Sequence, residues 1–346
     1  MAGETVKHGK SAGRRIGSIG RRDLIAMIGG TVAWPLAAHG QPAPPPVIGF
    51  LSDATPESLA RALEGFHRGL AETGFDEGRN LTIEYRWARG HYDMVPDLAA
   101  DLVRRRVAAI VLSGTEKVTR AAMAATTMIP LVAMVAGDPV KRGLVASVNR
   151  PGGNLTVVSL FTFSNNALVA KRVELAHELA PNAGVVGWLV DANILDYDDQ
   201  LRDLQRAAQA LGLEAKVAPV TTPGDLEASF ASLVSQHAGF ILETGPIIFS
   251  NRAQIVALAA KASVPMSYEW PDFVSEGGLM SYGTDRADVL RQAGIYAGRI
   301  LKGEKVGDLP VVEPDKYVLA INLKTAKALG ITVPPTLLVR ADDVIE

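Results

Sequence analysis

The sequence predicts an α/β protein of two comparable lobes, each a doubly wound parallel sheet, with a ligand cleft and a hinge between them. Two observations carry this. From Val47 onward, short β-rich runs alternate with helix-length amphipathic segments, the pattern that builds parallel sheets covered by helices. The strands also divide into two groups of similar size, roughly 47–155 and 156–282, parted by Arg150-Pro-Gly-Gly-Asn154, where proline and glycine let the chain change direction.

In chain order the first-half strands are expected at Val47–Leu51, Leu81–Trp87, Ala108–Leu112 and Leu131–Val135. Those of the second half are Leu155–Leu160, Val185–Val190, Ala215–Val220, Phe240–Leu242, Val264–Tyr268 and Leu279–Tyr282. Between them the clearest helix runs from about Glu57 to Thr73: Leu59, Leu63, Phe66 and Leu70 recur along one face, and Gly74 stops it. Further helices are expected over Ser164–Leu179, Tyr197–Leu211 and Asp288–Leu301. After Tyr282 the long helix and a strand near Tyr317–Leu323 have to return and complete the first half. The approximate lobe boundaries are 47–155 plus 286–316, and 156–285 plus 317–346.

Residues 1–40 read as an export signal. A basic start (Lys7, Lys10, Arg14, Arg15, Arg21, Arg22) precedes an apolar run, Leu24–Ala38, and the small residues Ala38 and Gly40 that suit cleavage. As a helix the run would span only about 22 Å, short of a bilayer core of about 30 Å. Arg21-Arg22 resembles the twin-arginine signal, with ordinary secretion also open, and the absence of a following cysteine excludes lipid attachment there. The exported form is expected to start near Gln41, with 41–46 as a proline-rich linker, and to reside in the periplasm.

Removing the signal's six basic and two acidic residues from the chain's 35 and 37 leaves a net charge of −6, which argues against nucleic acid as a partner. Zero cysteines exclude disulfides, thiolate metal sites and a cysteine nucleophile. The six histidines are scattered without metal-ligand spacing. No Gly-x-Ser-x-Gly elbow, phosphate loop or dinucleotide fingerprint is present. No catalytic residue, metal or cofactor is therefore assigned, and Arg104-Arg105-Arg106 reads as a solvated helix end.

Ligands of open parallel sheets bind beyond the carboxyl ends of the strands, so the residues after each strand are the candidates. In the first lobe these include Ser52, Asp53, Ser113, Gly114, Thr115, Gly137 and Asp138. In the second they include Phe161, Asp191, Asn193, Glu243, Glu269-Trp270 and Gly283-Thr284. Hydroxyls and glycines gather on one side, carboxylates and aromatics on the other. Any single Ser, Thr, Asp or Asn there could be an ordinary helix cap; the set carries the argument.

With those loops in view the chain resembles the exported substrate-binding proteins of ABC transporters, of the tryptophan/tyrosine transport type. The matching stretches are Val47-Ile-Gly-Phe-Leu51, Glu77-Gly-Arg-Asn-Leu-Thr-Ile-Glu-Tyr-Arg-Trp87, Asp138-Pro-Val140 with Gly143-Leu-Val145, Arg150-Pro-Gly-Gly-Asn154, Gly277-Gly-Leu-Met-Ser-Tyr-Gly283 and Ile321-Asn-Leu-Lys-Thr-Ala-Lys-Ala-Leu-Gly330. The resemblance implies a type I periplasmic-binding-protein fold, two lobes joined by three crossovers, capturing a small molecule for a membrane permease. It implies an anion held by Ser52, Ser113, Gly114 and Thr115, an ammonium held by Asp138, Asp191 or Glu243, and an aromatic wall from Tyr268, Trp270 and Tyr282. The expected ligand is an amino acid or an aromatic or organic acid, and the expected state a monomer. The hinge is expected near Asn154–Leu160, Tyr282–Arg286 and Val312–Tyr317. A ligand-binding sensor, or an enzyme on the same scaffold, stands as the alternative.

Overall fold

The computed structural model describes residues 44–161, 166–194 and 196–346. The expected export signal and the first linker residues lie outside them, as do the first two residues of the helix expected from Ser164. The fold is that of the unit Pro45–Glu346.

The first sheet contains β1 (Val47–Ser52), β2 (Thr82–Trp87), β3 (Ile110–Ser113), β4 (Leu131–Val135) and β5 (Leu155–Ser159). They run in the order β2-β1-β3-β4-β5, all parallel. The inner strands β1, β3 and β4 are buried on both sides because helices cover both faces, whereas the edge strand β2 alternates Thr82, Glu84 and Arg86 with Ile83, Tyr85 and Trp87. Ile48, Phe50, Val111 and Val132 pack under α1 (Ala60–Glu72), while Leu51, Ile110, Leu112 and Leu131 pack under α2 (Val95–Arg104) and α3 (Glu116–Ala125).

The second sheet is larger. It holds β6 (Val185–Asp191), β7 (Glu214–Val220), β8 (Phe240–Thr244), β9 (Met266–Tyr268), β10 (Met280–Gly283), β11 (Val318–Asn322) and β12 (Asp343–Ile345). Its order is β12-β11-β10-β9-β8-β6-β7. One face lies under α4 (Asn166–Leu179) and α5 (Tyr197–Ala210), with Trp188, Val190 and Leu242 between. The other lies under α6 (Leu226–Ser235), α7 (Pro246–Ser250), α8 (Arg252–Ala262) and α9 (Pro271–Ser275), around Leu189, Ile241 and Phe273.

Three expectations need correction. β5, read as opening the second half, is an edge strand of the first sheet, with Leu155 opposite Leu131. The preceding turn fixes it there: the Asn154 side-chain amide donates to the carbonyls of Thr126 and Ile129 at 3.1 and 2.8 Å. β11 does not return to the first sheet but pairs with β10 antiparallel, Ser281 opposite Ala320, so this sheet is mixed rather than parallel. β12, three residues long, has no counterpart among the expected strands.

The segment that does return is α10 (Arg286–Leu301), which packs along α1 and the first sheet, followed by Val306 and Leu309 in the same core. The chain thus passes between the sheets after β5, after β10 and before β11. These passages lie side by side: the Thr284 hydroxyl donates to the Leu160 carbonyl at 2.8 Å, and the Ser159 N–H to the Val312 carbonyl at 2.7 Å. Last come α11 (Leu323–Ala328) and α12 (Pro335–Arg340). No helix among the described residues is long and apolar enough to cross a membrane.

Candidate functional site

The strand order of the first sheet reverses between β1 and β3, and such a reversal leaves a crevice at the carboxyl ends of the strands. Asp53, one residue past β1, is buried there, and its Oδ2 accepts the Thr115 N–H and the Thr115 hydroxyl, both at 2.8 Å. Gly114 has φ 143°, and a Cβ on it would lie 2.2 Å from Asp53 Oδ1, so only glycine fits. The second sheet repeats the device at its own reversal, between β6 and β8. Asp191 Oδ2 accepts the Ile247 N–H at 3.1 Å, and a Cβ on Gly245, at φ 116°, would stand 2.4 Å from Asp191 Cβ. Each lobe is therefore built around the same aspartate and glycine clasp.

Between the two clasps lies a cavity of about 340 Å³, the size of a site for a small organic molecule. Phe161 and Trp270 form one wall, ring centres 5.0 Å apart, with Phe249 edge-on to Trp270 at 6.4 Å. From the first turn of α10, Arg286 lays its guanidinium 4.1 Å from the Phe249 ring centre and 5.1 Å from that of Trp270. Among the described residues Arg286 makes no hydrogen bond or ion pair, and its Nε is buried without an acceptor. Burial lowers the Arg286 pKa, while Asp272, Asp53 and Glu269 nearby favour its charge. Burial also pushes the Asp53 carboxyl up, opposed by its two Thr115 hydrogen bonds.

Ion pairs line the mouth of the cavity. Glu116, at the start of α3, takes Arg142 Nη1 at 2.7 Å and Arg120 Nε at 2.6 Å. Arg142 Nη2 in turn lies 3.7 Å from Oδ2 of Asp196, across in the second lobe. Among the described residues no group of three or more His, Cys, Asp or Glu is placed to hold a metal ion.

Of the sequence candidates, Asp53, Ser113, Gly114, Thr115, Phe161, Asn193, Glu269 and Trp270 line this cavity. The others do not. Ser52 is fully buried and its Oγ accepts the Ala54 N–H at 3.1 Å, turning the chain after β1. Asp138 caps its own turn through the N–H groups of Val140 and Lys141, at 2.9 and 3.2 Å, and with Gly137 borders a separate charged cleft. Asp191 is consumed by its clasp and by Asn193, whose N–H and side-chain amide both reach Oδ1 at 2.9 Å. Glu243 lies inside β8, which runs two residues past the expected end, and so points into the protein rather than out of a loop. Tyr268 stacks on Phe273 at 4.4 Å in the core, and Tyr282 stacks on Tyr317 at 5.6 Å.

The expected anion cradle is also different in kind: the Thr115 donors already hold the chain's own Asp53 carboxylate. Arg286, Phe249, Glu116, Arg142 and Asp196 are site residues that the strand-end rule misses. Arg286, Phe249 and Glu116 lie within helices, Asp196 just ahead of α5, and Arg142 in the turn after β4. Glu269, which directly follows β9, is buried in the cavity wall beside Trp270.

A model of the family described as ABC transporter substrate binding protein matches residues 46–345. A curated relative from Clostridioides difficile (strain R20291), named a tyrosine-binding protein, is 28% identical over 272 residues, 79% of this chain and 77% of its own. Two solved structures superpose at a TM-score of 0.77 and 25% identity. One is a conserved domain protein from Vibrio cholerae, covering 86% of this chain and 99% of its own. The other is the ABC domain from Streptococcus pneumonia in complex with L-Trp, covering 87% and 100%.

Proposed function

The chain belongs to the ABC transporter substrate-binding protein family, with its two-lobed type I periplasmic-binding-protein fold, and from that premise we propose that its cleft captures an α-amino acid with an aromatic side chain. The observation that carries this is Arg286: a guanidinium with no carboxylate in ion-pair contact among the described residues, stacked on Phe249 and Trp270, in a cavity that also holds Asp53 and Glu269. A free arginine in a partly dry site calls for a carboxylate, which it can grip with two parallel hydrogen bonds. Asp53 Oδ1 and Glu269 offer the complementary place for an ammonium, and the aromatic wall takes the ring. The polarity is then the reverse of the one expected from sequence, with the amine toward Asp53. The tyrosine-binding and L-Trp-bound relatives support an aromatic amino acid in particular.

In this reading the loaded protein hands its cargo to an ABC permease, working outside the cytoplasmic membrane, in a periplasm if its cell has one. Calorimetric titration with L-tryptophan, L-tyrosine, tryptamine and indole-3-propionate tests the assignment. The two amino acids should bind, and loss of either the carboxylate or the amine should cost about 2 kcal/mol or more, roughly 30-fold in affinity. Arg286→Gln should erase the preference for L-tryptophan over tryptamine. Binding of neutral sugars alone, or a variant that keeps the preference, would refute it.

A further inference from the structure

Behind the cavity wall lies a charge imbalance. Arg172, on α4, is buried beneath the carboxyl ends of β8 and β9, where its Nη2 donates to the carbonyls of Glu243 and Ser267 at 2.8 and 2.7 Å. The same guanidinium serves two carboxylates: Nη1 is 3.4 Å from Glu269 Oε1, and Nη2 is 3.8 Å from Glu243 Oε1. The two acids are also joined directly, since the Glu269 N–H donates to Glu243 Oε1 at 2.7 Å. Among the described residues, Glu243 Oε2 is buried with no hydrogen-bond partner.

Two carboxylates share one guanidinium at contact distance, all three nearly removed from water, so ionising both leaves a negative charge that only the more distant Arg286 faces. An unpaired charge in such surroundings costs several kcal/mol, so the pair keeps a proton instead. Burial pushes both carboxyls upward, Glu243 more strongly, with Glu269's charge adding to the effect and Arg172 opposing it. The other groups facing the pair are Thr244 from β8, Tyr268 from β9, Asp196 before α5 and Arg286 from α10. Only Glu269 of the two acids reaches the cavity.

We infer that loading the cleft with an amine-bearing ligand expels a proton from the Glu243–Glu269 pair, with Arg172 as the fixed counter-ion the two acids share. The ligand's ammonium supplies the second positive charge. With two cations for two carboxylates, the carboxylic O–H dissociates, its proton passes to solvent, and the ammonium keeps all three N–H bonds. Uptake is therefore linked to pH, and acidification favours release. This rests on the amino-acid reading above.

Calorimetry of L-tryptophan binding at about pH 7 in phosphate and in Tris, whose ionisation heats differ widely, counts the protons. Released protons should make binding more exothermic in Tris, by an amount equal to at most about one proton per ligand, and affinity should fall by up to about tenfold per pH unit below neutrality. In Glu243→Gln, where the amide oxygen can still accept the Glu269 N–H, binding should persist and the buffer dependence should disappear. Identical heats in both buffers for the unaltered protein, or full proton release from the variant, would overturn the inference. If neither L-tryptophan nor L-tyrosine gives heat, it is the ligand assignment that fails. Carboxyl-carbon NMR titration of the ligand-free protein then decides the pair's state: one retained proton at neutral pH supports the inference, and two fully ionised carboxylates overturn it.

Discussion

Glu243 is fully buried, and of the pair it forms with Glu269 only the latter faces the cavity. The Glu243 pKa is raised above the ordinary value of 4.5, chiefly by burial, so the folded protein holds that proton more tightly than the unfolded chain does. Below about pH 4.5 both states are protonated and Glu243 costs nothing. As pH climbs from there toward and past neutrality, the unfolded chain releases the proton first, and stability falls through that window. Glu243→Gln removes the slope. The variant should gain melting temperature relative to the unaltered protein as pH rises from about 5 to about 8, by several degrees. Parallel melting curves for both proteins across that range would contradict this. The same residue shows why sequence reading assigns it to the ligand. A carboxylate near a strand end looks like a loop residue when the strand is drawn two positions short, and the alternation of faces then sends it the wrong way. Asp53 and Gly114-Thr115 are legible because they follow their strands directly, with Ser113 closing β3, at the sheet's point of reversal.

Among the elements, the closest packing is that of α1 on α10. Sequence periodicity identifies α1 from Leu59, Leu63, Phe66 and Leu70, and three of these are buried, but Leu63 is only half-buried. The true line of contact is set by glycines: a Cβ on Gly65 or Gly69 would lie 1.9 Å from the carbonyl oxygen of Ala287 or Arg291, and one on Gly294 would lie 2.3 Å from that of Phe66. No apolar-residue count finds such a contact, because glycine adds nothing to an apolar stripe. The antiparallel placement of β11 and the three-residue β12 are equally hidden, since both depend on where the sheet edge lies rather than on local composition. The contact of α1 with α10 holds the start of α10, and with it Arg286, in register with the loop that carries Asp53. Gly69→Ala must push two backbones apart, which costs about 1–3 kcal/mol. It should lower the melting temperature by several degrees and weaken amino-acid binding as Arg286 shifts. Gly184→Ala, with no atom within 4 Å of the added methyl, should do neither. Equal behaviour of the two variants would show that the helix contact does not position the site.

At the scale of the whole molecule, the proposed function has the lobes part for ligand exchange, and one ion pair spans them at the mouth. Arg142 is pinned in the first lobe by Glu116 at 2.7 Å and extends to Asp196 of the second at 3.7 Å. Neither end is fully wet, with side chains 19% and 15% exposed, so solvent screens this pair less than a surface one. The three passages between the sheets, joined by the Thr284 and Ser159 hydrogen bonds, are where rotation has to be absorbed. Breaking the pair between Arg142 and Asp196 should therefore shift the ligand-free protein toward open forms without touching Arg286 or Asp53. Asp196→Asn removes the charge and keeps the shape. At about 1 kcal/mol for a long, partly screened ion pair, L-tryptophan should dissociate roughly fivefold faster from the variant. The unaltered protein should approach that rate as salt is raised, while the variant responds little. Chase of isotope-labelled L-tryptophan by excess unlabelled ligand reports the rates, and small-angle scattering of the ligand-free proteins reports the opening. Equal rates and an equal salt response in the two proteins would place the barrier to release in the hinge itself.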